Sequence, residues 1–142
     1  MKVMTVEQVT VGDREVWTRT ITDADVVMYA GLIGDRGPLH LDETFAASTR
    51  FGGRISYGMQ AGGYIGATLA QLLGIGSAYV SQNLRFKGPV LIGDRVTVET
   101  VVTGKDEQRR RVFVDTRVVK NGGELVVEGE AELVMFDVEW NP

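Results

Sequence analysis

The chain has 142 residues, one histidine, no cysteine and a formal net charge of −4; 44% of its residues are hydrophobic and 24% charged. That balance describes one globular domain, 1–142, burying about two-thirds of its extended surface, and it excludes wholesale disorder. It also excludes disulfides and thiolate metal sites, makes one histidine plus carboxylates a poor zinc set so that no metal is expected, and argues against a nucleic-acid partner, which would need a basic face.

The first ten residues lack the basic-then-apolar pattern of a signal peptide. The longest mostly apolar stretch, 59–73, is too short to span a bilayer. With no cysteine present, the expectation is a soluble, cytoplasmic protein without a membrane partner.

Arg14 to Ile21 reads as an N-terminal strand. Thr22-Asp23-Ala24-Asp25 is a cap followed by acidic first-turn residues. Val26, Val27, Tyr29, Ala30 and Leu32 continue it as a short amphipathic helix ending near Gly31 to Gly34. A loop with Asp35 and His40 follows, then a short helix from Asp42 or Glu43 through Phe45, Ala46 and Ala47. The chain next runs extended through 51–56.

Gly58 to Leu73 is the main helix, about 22–24 Å long at ~1.5 Å per residue. It is apolar on nearly all sides, which predicts burial within protein. Gly62, Gly63 and Gly66 each cost about 1 kcal/mol relative to Ala, which implies that another backbone or a ligand comes close. Helix–sheet packing is the commoner reason for such glycines.

Four strands follow, over 78–86, 95–102, 110–119 and 125–136. Lys87-Gly88-Pro89 ends the first, and Asn121-Gly122-Gly123 is a hairpin turn between the last two. One buried helix with an antiparallel sheet of five or six strands curving around it is an α+β protein.

The chemistry-bearing stretch is Gly34-Asp35-Arg36-Gly37-Pro38-Leu39-His40-Leu41-Asp42. A general base working near neutral pH is most readily a histidine, and His40 is the single candidate. A histidine taken alone is more often a satisfied surface or core residue, and Asp35 in a Gly-Asp-x-Gly-Pro turn is by itself a turn former. The five-residue spacing with a proline between them is what raises both. Asp42 and Glu43 read as helix-start residues. Arg50, Arg54, Arg85 and Lys87 are either anion contacts or scattered solvated charge. Arg109-Arg110-Arg111 reads as an exposed hairpin end.

The segment YAGLIGDRGPLHLDETFAASTRFGGRISYGM, together with NLRFKGPVLIGDRVTVET further on, resembles the MaoC-like hydratases, the (R)-specific enoyl-CoA hydratases of the hotdog fold. The resemblance spans roughly 15–136. It implies a sheet wrapped around a long central helix, and a homodimer, or a dimer-based higher oligomer, whose sheets join edge to edge. The acyl-thioester would bind near the subunit boundary.

By position, Asp35 and His40 match the family's catalytic pair, and Gly58 matches the glycine whose N–H polarises the thioester carbonyl. The substrate implied is an acyl-CoA or acyl-carrier thioester that brings its own pantetheine, so no separate cofactor is expected. The family usually has Asn where this chain has Gly37, often His where it has Tyr57, and often Ser where it has Gly66. Tyr57 is a pocket wall or a surface aromatic, and Gly62 lines the acyl path or packs on the sheet.

The activity implied is addition of water across a trans-2-enoyl thioester, or the reverse dehydration. Two alternatives stand beside it: a hotdog acyl-CoA thioesterase, and a non-catalytic acyl-CoA-binding subunit. The Asp-x-x-Pro-x-His pattern favours the hydratase.

Overall fold

A computed structural model describes residues 1–140; Asn141 and Pro142, the end of the expected domain, lie outside the described residues. After a 3-10 turn at Val6–Gln8 the elements run β1 (Arg14–Thr20), α1 (Asp23–Ile33), α2 (Pro38–Leu41), α3 (Glu43–Ala47), α4 (Gly58–Leu73), β2 (Ser77–Gln82), β3 (Arg85–Phe86), β4 (Arg95–Asp106), β5 (Arg111–Lys120) and β6 (Glu124–Met135).

The strands form one six-stranded antiparallel sheet in the order β1-β4-β5-β6-β2, with β3 also on β6. Alternation in the sequence sets its two faces, because successive side chains on a strand point to opposite sides. Val96, Val98, Thr100 and Val102 of β4 are buried, as are Val112, Val114, Thr116 and Val118 of β5. They meet across the ladder as Val98↔Val118, Thr100↔Thr116 and Val102↔Val114. The β5–β6 turn uses positive φ at Asn121 (49°) and Gly122 (88°), which matches the strand twist.

The inner face receives α4, which lies against β1, β4 and β5. Ile65, Leu69 and Leu73, spaced four apart, are fully buried there. Each such side chain contributes about 1.5–3 kcal/mol by leaving water. The first residues join the same core through Met4, Val6 and Val9.

Four sequence expectations need correction. The strand over 78–86 is broken at Asn83-Leu84: the chain bends over β6 so closely that a Cβ on Gly129 would collide with Asn83 O. The loop before Asp42 contains the four-residue helix α2, started by Pro38 at its first position, where a missing N–H costs nothing. Helix α1 is not cleanly amphipathic, since Val27, Met28, Leu32 and Ile33 are exposed. Nor is α4 buried all round. Met59, Gly63, Ala67 and Gln71 form an open stripe, because one chain supplies a single sheet for the helix to pack against.

Candidate active site

The site is built from the segment between β1 and α4. Thr22 caps α1, its hydroxyl accepting from the Asp25 N–H while Asp25 accepts from the Thr22 N–H at 2.7 Å. Asp25 also takes a 2.6 Å bond from Arg19. Burial pushes the Asp25 carboxyl up, but its bonds from Thr22 and the Arg19 guanidinium outweigh that and hold it below the usual range. Gln60 of α4 donates to Asp25 O at 3.0 Å and accepts from the Ser56 hydroxyl at 2.7 Å. The first turns of α1 and α4 are thereby fastened together.

Helix α1 ends at Gly34, whose φ of 77° is open to glycine and strained for most other residues. The chain then turns through Asp35, Arg36 and Gly37 into α2, which carries His40. The Asp35 carboxylate accepts the Gly37 N–H at 2.8 Å. A Cβ on Gly37 would stand 3.2 Å from Asp35 Oδ1 and 3.6 Å from His40 Cδ2. The carboxylate and the Cδ2 edge of the imidazole, next to Nε2, therefore flank one small volume. Asp35 is exposed and His40 half-buried in the single chain.

His40 Nδ1 lies 2.8 Å from Ile55 O. A carbonyl only accepts, so Nδ1 carries the proton and Nε2 holds the free lone pair. The ring stacks on Tyr57 at 3.8 Å between centroids and 23° between planes. Tyr57 is buried, and its hydroxyl donates to Asp35 O at 2.7 Å. Burial raises the Tyr57 phenol above its ordinary range, the Asp35 charge adding and the Arg54 charge opposing. Arg54 Nε donates to His40 O at 2.7 Å and its other arm reaches Asp23 at 2.6 Å. That commits Arg54 to structure rather than to an anionic ligand.

Gly58 opens α4 directly after Tyr57, which gives the helix no side-chain cap. The first amides of a helix lack internal partners and sit at its positive end. A Cβ on Gly58 would lie 2.9 Å from Phe86 Cε1. Tyr57 and Gly58 line a cavity of about 560 Å³ between α4 and the sheet, floored by Val96, Val118 and Val127. Arg50 and Lys87 also line it.

Asp35, Gly37, His40 and Tyr57 thus come together, with Gly58 next in the chain. Asp35, His40 and Gly62 do not line that cavity. Gly62 sits under Leu84, 3.1 Å from where its Cβ would be, and Gly63 faces open space. Arg85 lies apart, in a depression with Asp115 and Glu128 on the outer side of the sheet. The roles of Arg54, of the Ile55 carbonyl and of Phe86 over Gly58 had no signal in the sequence. Each depends on residues that are distant or nondescript along the chain. Among the described residues no group of three or more His, Cys, Asp or Glu is placed to hold a metal ion, and no helix is long and apolar enough to cross a membrane.

A sheet wrapped on one long helix, with an overlying segment that presents an aspartate and a histidine, defines a hotdog-fold protein. The chain belongs to the MaoC-like dehydratase family: the model described as MaoC like domain matches residues 8–123. It is 42% identical over 132 residues to a 3-hydroxybutyryl-CoA dehydratase of Methylorubrum extorquens, covering 92% of this chain and 83% of that protein. It is 40% identical over 129 residues to an (R)-specific enoyl-CoA hydratase of Aeromonas caviae, covering 90% of this chain and 96% of the other. Among solved structures, the unliganded R-hydratase PhaJ1 from Pseudomonas aeruginosa superposes with a TM-score of 0.88 at 38% identity, over 97% of this chain and 92% of that one.

Proposed function

We propose that this protein is a hydro-lyase that adds water across the double bond of a trans-2-enoyl thioester, with (R) stereochemistry at C3, and runs the reverse dehydration of the 3-hydroxyacyl thioester. The observation that carries it is that Asp35 Oδ1 and the His40 Cδ2 edge both face the space beside Gly37 while Nδ1 is turned to Ile55 O, which leaves Nε2 as the base. A water held between them loses a proton to Nε2 as its oxygen bonds to C3. The C2–C3 π electrons move toward the thioester carbonyl, and the Gly58 N–H at the start of α4 stabilises the enolate oxygen. Return of a proton to C2 from the dyad completes the addition, with no group left over.

The reaction calls for no resident cofactor, because the substrate carries its own CoA or carrier pantetheine. Arg50, stacked at 4.9 Å over Phe51, stands at the cavity as a cation for the ligand's phosphates, while Lys87, also at the cavity, is paired with Glu128 at 2.8 Å. The absence of cysteine fits a reducing compartment such as the cytoplasm. The working unit is a homodimer. Strand β2 ends the sheet with its Ala78 to Ser81 stretch exposed, and the open stripe of α4 lies on the same molecule. An unprotected edge of this kind calls for a partner strand.

The test is incubation with trans-2-enoyl-CoAs of short, medium, branched and aromatic acyl groups. Loss of enoyl absorbance without free thiol supports hydration. Thiol release assigns a thioesterase instead, and tight CoA binding without any turnover assigns a non-catalytic binder.

A further inference from the structure

We propose that Tyr57 is a positioning residue for the dyad: its ring backs the His40 imidazole and its hydroxyl tethers the Asp35 backbone, so one buried side chain sets the spacing of base and carboxylate. This rests on the hydratase reading above.

The dyad needs such a device, because half of it lies on a weakly held segment. Residues 34–37 have no regular structure, and Asp35 is exposed. Within the segment, Asp35 is held by its own bond to the Gly37 N–H. Among the described residues, the Tyr57 hydroxyl makes the one hydrogen bond that reaches 34–37 from beyond α2. His40 has a comparable freedom. Its Nδ1 bond to Ile55 O is a pivot about which the ring can turn. A flat aromatic face 3.8 Å away closes one side of that motion and so aims Nε2.

Tyr57 can hold others because it is held itself. It is 5% exposed, and its ring packs at 5.2 Å against Tyr29 of α1. Tyr29 of α1, Tyr57 just before α4 and His40 of α2 therefore form one row of aromatic contacts. The phenol stays protonated, since burial and the neighbouring Asp35 charge both oppose its ionisation, so it remains a donor to Asp35 O. Tyr57 is also the residue before Gly58, which brings the base, the carboxylate and the helix-end amide onto one rigid support. Misplacing a reacting group by an ångström can cost about a hundredfold in rate.

The experiment compares wild type with Tyr57→Phe and Tyr57→Leu. Phe keeps the stack and loses the tether; Leu loses both. Two readouts are taken: kcat and KM per folded protein on an enoyl-CoA, and the rate of tryptic cleavage after Arg36, which lies in the tethered segment. The expected result is a fall in kcat of about tenfold for Tyr57→Phe, with KM within about twofold as misplacement without lost binding requires, and a fall of about a hundredfold for Tyr57→Leu. Cleavage at Arg36 quickens in both. A Tyr57→Phe protein whose kcat per folded molecule matches wild type, or whose Arg36 site is cut no faster, overturns the proposal. A wild type that turns over no enoyl thioester sinks the hydratase reading and the positioning role with it. The cleavage arm then still decides whether Tyr57 restrains the segment.

Discussion

The Phe86 ring occupies the space a side chain on Gly58 would need, with Cε1 2.9 Å from an ideal Cβ. Phe86 is 53% exposed on the short strand β3, so its ring can swing away. Gly58→Ala should therefore cost only about 1–3 kcal/mol of stability. Turnover should also fall, because the new methyl stands beside the Gly58 N–H where a thioester carbonyl would have to approach. Thermal unfolding and kcat on one preparation separate the two effects. Adding Phe86→Ala should recover stability but not rate; a double variant with wild-type rate would show that the thioester does not need a bare Cα at position 58.

Gly37 has an ordinary backbone, φ −56° and ψ 129°, so Ala fits there without backbone strain. Gly37→Ala should stabilise the protein by about 0.4–1 kcal/mol through a less flexible unfolded chain. The new methyl would press on the Asp35 carboxylate from 3.2 Å, and the carboxylate must yield by a few tenths of an ångström. A urea midpoint that rises while kcat drops severalfold is the expected pair of results.

Acid should loosen the β1–α1 corner, where Asp25 holds Thr22 and Arg19, and the turn before β4, where Asp94 holds Leu91, Asn121 and Lys120. The Asp25 and Asp94 carboxyls are each pushed up by burial but held lower overall, by Thr22 and Arg19 at Asp25 and by Asn121, Leu91 and Lys120 at Asp94. A depressed folded pKa means stability that is fully present above the ordinary carboxylate value of about 3.9 and lost as pH falls through the lower folded one. Urea midpoints should decline below that region. Asp25→Asn should flatten part of the decline, and an unchanged slope would contradict the assignment.

The edge strand β2 gives the oligomer prediction. Val80 is 45% exposed on that edge. Val80→Lys should convert a dimer into monomer in sedimentation without unfolding it, since charge on an edge strand opposes pairing. A wild type that sediments as a monomer would contradict the dimer outright.

Much of this was legible from local chemistry. Alternating valines in β4 and β5, Asn121-Gly122 in a turn and the Gly58–Leu73 run each announce themselves over a few residues. What escaped depends on distant partners. The break at Asn83-Leu84 reflects Gly129, far along the chain, allowing a close backbone crossing. Helix α2 is too short to show a period. The exposed stripes of α1 and α4 look like core in sequence, since apolar residues destined for another surface and for this chain's own core have the same composition. At the site, the Asp35–His40 spacing pointed to the pair, while the Tyr57 stack, the Ile55 carbonyl and the Arg54 brace come from residues 14–22 positions away whose types carry no such signal.

If His40 Nε2 and the Asp35 carboxylate activate one water for addition to an enoyl thioester, turnover needs both side chains. The most direct measurement is the rate of enoyl absorbance loss from saturating crotonyl-CoA by wild type, His40→Gln and Asp35→Asn, each checked for folding by its thermal midpoint. Both variants should be folded and slower by about 10²–10⁴, the usual contribution of a positioned acid–base group. A folded variant that keeps wild-type turnover would contradict it.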